Sequence, residues 1–138
     1  DAKRLQEHNA PQVLTLPAVR SPRRAVPALV HGLRSDDDAV VKAALKVVEE
    51  ARMRDALPDV RTVAESRKPL LTPMAAHCLG IMRDRESLAL LVDLLESARD
   101  HPTRDAAAVA LRQISGRIYG FDVPRWREYL RERQVAER

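Results

Sequence analysis

Aromatic side chains are scarce in this chain: one Trp, two Tyr and one Phe make up 3% of 138 residues. A base-stacking platform for single-stranded nucleic acid has little to be built from. The single cysteine, Cys78, excludes a disulfide scaffold and any four-thiolate zinc site. Four glycines supply no Gly-rich loop of the kind that cradles phosphate. No apolar run nears the roughly 18 residues needed to cross a bilayer, so a soluble chain is expected. The histidines His8, His31, His77 and His101 include no i, i+4 pair, and no CxxC or HExxH occurs. The serines lack a nucleophile elbow. Asp36-Asp37-Asp38 lacks the alternating ligands and distal Glu of a calcium loop. These absences point to a non-catalytic protein without metal or cofactor.

Charge is plentiful but nearly balanced. Charged residues make up 32% of the chain, with 24 basic against 20 acidic side chains and a net charge of +4. Residues 1–35 carry +4, 36–68 carry −1, 69–116 carry −1 and 117–138 carry +2. A nucleic-acid binder concentrates its positive charge along one continuous surface. Mixed signs through the centre instead suit the solvated faces of helices.

The main signal is self-similarity. Val40, Leu71 and Thr103 stand 31 and 32 residues apart, as do Ala44, Ala75 and Ala107, and Val48, Leu79 and Leu111. An upstream set keeps a step of 31: Leu29, Val60 and Leu91, then Leu33, Ala64 and Leu95. Each unit reads as two helices. First helices are predicted near 24–34, 56–66 and 86–98, and second helices near 38–52, 70–82 and 102–115. Leu88, Leu91, Val92, Leu94 and Leu95 form an apolar stripe at helical spacing. Ala43, Ala44, Val47 and Val48 line one face of a second helix, where small residues allow close approach. The aspartate run supplies an N-cap and Gly116 a C-terminal stop. One such pair cannot cover its own apolar side, whereas a stack of pairs can. The fold class is therefore all-α, a solenoid of about three helical hairpins (23–54, 55–85 and 86–116) with a C-terminal capping helix in 117–138.

Met74-Ala75-Ala76-His77-Cys78-Leu79-Gly80 and Arg104-Asp105-Ala106-Ala107-Ala108-Val109-Ala110-Leu111 resemble the inner helices of HEAT-type repeats. They are most similar to the short bacterial subclass also found in phycobilisome lyases. Ile114 to Asp122, followed by Pro124 and Trp126, resembles the closing segment of many bacterial HEAT arrays. The resemblance implies an α-solenoid over about 24–130 and does not fix a function, because this fold hosts many roles; the compartment stays open, with a bacterial cytoplasm favoured. It departs at Val41 and Thr72, where the family often places Arg as it does at Arg104, which weakens any polar ladder between repeats. No positioned Cys, aromatic pocket or acid would hold a tetrapyrrole. The one adjacent Glu7-His8 pair is in the wrong order for the di-iron members.

The aromatics all fall in 119–129, and Asp122 is the expected N-cap of a last helix with Pro124 in its first turn. Two readings follow for them. They cap the last hairpin, or Trp126 and Tyr129 anchor a partner as exposed hot-spot residues. Residues 1–22 read as an N-terminal cover or as the remnant of an upstream element. The initial Asp reads as a fragment or processed chain, which keeps export open. Cys78 falls at a core-facing position, where an inert thiol is expected.

Three functions compete. In the first, a protein or peptide docks on the outward positions of the second helices: Lys42, Lys46, Glu49, His77, Asp105 and Arg112. An extended rigid surface adds contacts repeat by repeat at little ordering cost. In the second, Arg20, Arg23, Arg24, Arg52 and Arg54 contact nucleic-acid phosphates. In the third, the chain is an enzyme-associated subunit, for which no residue constellation is present.

Overall fold

The computed structural model describes residues 22–137. Seven α-helices occur among them and no strand: α1 (Pro22–Leu33), α2 (Asp38–Ala51), α3 (Leu57–Glu65), α4 (Thr72–Ile81), α5 (Leu88–Ser97), α6 (His101–Ser115) and α7 (Val123–Ala136). The N-terminal stretch read as a cover or remnant lies outside the described residues, Pro22 excepted.

Side-chain chemistry fixes where the helices begin and end. Asp37 caps α2 by accepting the Ala39 N–H at 2.9 Å. Asp100 caps α6, accepting the Thr103 N–H at 2.9 Å and its hydroxyl at 2.6 Å. Those bonds, the hydroxyl's first, hold the Asp100 carboxyl below its ordinary value. Asp122 caps α7 by accepting the Arg125 N–H at 3.1 Å. Each satisfies an amide that the first helical turn leaves without a carbonyl. Gly116 closes α6 in the left-handed region at φ 76°. Short 3₁₀ turns, Arg54–Ala56 and Arg85–Ser87, lead into α3 and α5 at equivalent places in two repeats.

The repeat period is realised as a core register. Leu29, Val60 and Leu91 are fully buried on the first helices, and Ala44, Ala75, Ala107, Val48, Leu79 and Leu111 on the second. The hairpins α1–α2, α3–α4 and α5–α6 stack so that α2, α4 and α6 form one row. On the other side α1 packs on α3, and α5 on α7. The molecule is thus an α-solenoid, with α7 standing where the first helix of a further repeat would stand.

The two rows are spaced differently. At Gly80 of α4, an added Cβ would sit 2.7 Å from Ala110 Cα and would also meet Gln113 Oε1. Backbones this close require small residues on both helices. The first-helix row is instead bridged by long side chains. Arg34 reaches Asp59 at 2.8 Å, Arg61 grips Asp84 with two bonds of 2.6 and 2.8 Å, and Arg67 donates to Ser97. Arg127 of α7 reaches back to Asp93 at 2.8 Å and Glu96 at 3.0 Å. The second-helix row is thus closely packed at α4 and α6. Val41 and Thr72, the two positions where the resemblance departs, are buried on the second helices.

Candidate functional site

The outward face of the second-helix row is assembled from three helices of one period. On α2, Lys42 and Lys46 are exposed one turn apart and Glu49 is half-buried. On α4, exposed His77 places Nε2 3.4 Å from Glu49 Oε1, which joins the first two second helices across their seam. On α6, Asp105 and Arg112 are exposed, two turns apart. Val109 occupies the outward position that Lys46 and His77 hold in the other repeats and is 40% exposed.

The segment after α6 adds an apolar wall. Ile118 is 83% and Phe121 61% exposed, both unusual for side chains of that size. With Ala108 and Val109 they line a groove of about 260 Å³ whose other walls include Asp105 and Arg112. Three of the five exposed large apolar residues among those described thus converge on one end of the second-helix row. Clustering, and not single exposure, marks a contact surface.

One of the two readings of the C-terminal aromatics is corrected by burial and bonding. Trp126 and Tyr129 are not exposed anchors. Trp126 is fully buried, its indole N–H donating to the Gly120 carbonyl at 2.9 Å, and Tyr129 is 9% exposed. Both belong to an edge-to-face cluster with Tyr119, whose ring lies 4.9 Å from Trp126. The exposed aromatic is Phe121. A residue just before an N-cap ordinarily staples onto the helix's fourth position. Here Tyr119 holds that place against Trp126, so Phe121 is left outside.

Two of the arginines read as phosphate contacts also bond within the chain. Arg54 donates to the Met82 carbonyl at 2.6 Å and Arg52 to the Ile81 carbonyl at 3.2 Å. They close the C-terminal end of α4 from the preceding repeat, so these guanidinium groups are already engaged by protein carbonyls. Arg52 keeps its bond even though its own backbone is left-handed, at φ 54°. Of the other arginines proposed for phosphate contact, Arg23 and Arg24 lie in the first turn of α1, and Arg20 lies outside the described residues.

The one thiol is withdrawn from this surface. Cys78 is buried, with its thiol pushed up to about 12 by burial and secondarily by Glu49 and Asp84, so it stays protonated and unreactive. Among the described residues no three His, Cys, Asp or Glu side chains gather so as to hold a metal ion. No helix among them is long and apolar enough to cross a membrane. The arrangement can recognise a surface by charge and apolar contact.

Stacked two-helix units with a continuous core define an α-solenoid repeat protein. The pattern of the HEAT repeats family matches residues 26–112, which is more than half of the chain. The chain belongs to the HEAT repeat family. Neither the curated proteins nor the solved structures contain a match to it.

Proposed function

We propose that this HEAT repeat chain is a non-catalytic scaffold that holds a protein or peptide on the outward face of its second helices. Lys42, Lys46 and the Glu49–His77 pair form the centre of that face, and Asp105 and Arg112 carry it onto α6. The observation that carries the reading is the convergence of exposed charge and exposed apolar side chains on one row of a rigid stack. HEAT repeats commonly serve as interaction scaffolds, and the exposed lysines on α2 favour an acidic stretch of partner through complementarity. The resemblance of residues 74–80 and 104–111 to the short bacterial subclass supports a bacterial cytoplasmic setting.

Phosphate binding has less support, because Arg52 and Arg54 each already commit one N–H to a carbonyl at the C-terminal end of α4. An enzyme-associated role has no residue constellation behind it. Affinity capture with mass spectrometry, using the full chain as bait, identifies the partner. The Lys42→Glu/Lys46→Glu variant is then expected to bind that partner about tenfold or more weakly with its helical signal intact. Unchanged binding by the folded variant excludes this surface.

A further inference from the structure

The outward face of α6 carries Asp105, Ala108, Val109 and Arg112, at the i, i+3, i+4, i+7 spacing that puts side chains on one side of a helix. The order is acid, small apolar, apolar, base. We infer that this face binds a second copy of the same chain, as a symmetric dimer with the two α6 helices antiparallel.

The argument is one of complementarity under a two-fold axis. In an isologous contact, residue i of one copy meets residue j of the other, and j meets i. Place the axis between residues 108 and 109, at the middle of α6. Asp105 then lies opposite Arg112 of the second copy, and Arg112 opposite its Asp105. Ala108 and Val109 meet each other at the centre. The two charges are separated by about 10 Å along the helix, so both pairs close at once when the axes run antiparallel. Neither Asp105 nor Arg112 has an ion-pair partner among the described residues. Val109, Ile118 and Phe121, exposed beside them, supply the apolar cover that charge pairs alone lack.

On α2 the equivalent axis, between Leu45 and Lys46, also sets opposite charges face to face, Lys42 against Glu49, but Glu49 already lies 3.4 Å from His77 and the centre offers buried Leu45 and charged Lys46 in place of an exposed apolar pair. The α6 face, with unpaired charges and exposed Val109 at its centre, is the better matched to itself. The inference rests on the proposed reading of the second-helix row as a contact face, and assigns the α6 end of it to self-association.

Sedimentation velocity of the full 138-residue chain at physiological salt tests it. A dimer is expected as concentration rises through about tens of micromolar, the range of a small interface. Asp105→Arg alone and Arg112→Asp alone each place like charges at both symmetric contacts and are expected to weaken association about tenfold or more. The double variant Asp105→Arg/Arg112→Asp restores opposite charges and is expected to dimerise again. Val109→Lys is an independent disruption should a charge variant fail to fold, which circular dichroism reads directly. Lys42→Glu/Lys46→Glu weakens partner capture and leaves the dimer intact, so the two readings fail separately. A wild-type chain that stays monomeric throughout, a dimer indifferent to the single reversals, or a double variant that stays monomeric overturns the inference. Capture of a different protein on α6 by a chain that never dimerises does the same.

Discussion

Trp126 and Phe121 stand five residues apart and meet opposite surroundings. Trp126 fills the space between α7 and the turn before it, with no exposure and its N–H satisfied. Phe121 projects into solvent. Trp126→Ala removes the largest buried side chain and orphans the Gly120 carbonyl, with an expected loss of about 3–5 kcal/mol. Phe121→Ala is expected to stay within about 0.5 kcal/mol of wild type. Urea unfolding followed by circular dichroism measures both, and an equal loss at the two positions contradicts the assigned environments. Sequence made the core register of Ala44, Ala75 and Ala107 legible, because their spacing alone identifies it. It did not separate Phe121 from Trp126 and Tyr129, since all three are aromatic and close in sequence. Which ring packs inside is decided by Tyr119 taking the staple position, a choice made in three dimensions.

The elements differ in what holds them to their neighbours. Small residues let α4 and α6 approach closely, and Gly80 lies directly against Ala110. Gly80→Ala, normally favourable inside a helix, is expected to destabilise by about 1–3 kcal/mol here, because Ala110 is backbone-close and cannot yield. Thermal unfolding of Gly80→Ala beside Gly80→Ser and wild type checks this. A rise in Tm for Gly80→Ala would show that the helices are free to separate. The capping residues Asp37, Asp122 and Gly116 were readable because they act within a few residues. The bridges Arg34–Asp59, Arg61–Asp84 and Arg127–Asp93 were not, as each joins residues 23–34 positions apart through side chains whose direction only the stack defines. For the same reason Arg52 and Arg54 read as free cations, although the end of α4 lies within their reach.

At the scale of the whole molecule, a repeat stack has a problem at each end: the last unit has an apolar side with no neighbour to cover it. In this chain α7 covers it at the C-terminal end. It packs on α5 in the first-helix row, carries Trp126 and Tyr129 inward, and is tied by Arg127 to Asp93 and Glu96. The exposed ion pairs contribute little each, about 0–1 kcal/mol, so the buried aromatics carry the closure. A chain ended after Gly116 keeps all three hairpins but loses that cover. It is expected to bind a hydrophobic dye such as ANS, to self-associate without a defined stoichiometry and to melt at lower temperature over a broader range. Dye fluorescence, size-exclusion chromatography and thermal melts of the shortened and full chains measure these three effects. Restoring residues 117–136 with Trp126→Ala separates the two contributions of α7. If mere length of helix closed the stack, that variant would behave as wild type. If the indole closes it, the variant retains most of the dye binding seen on truncation.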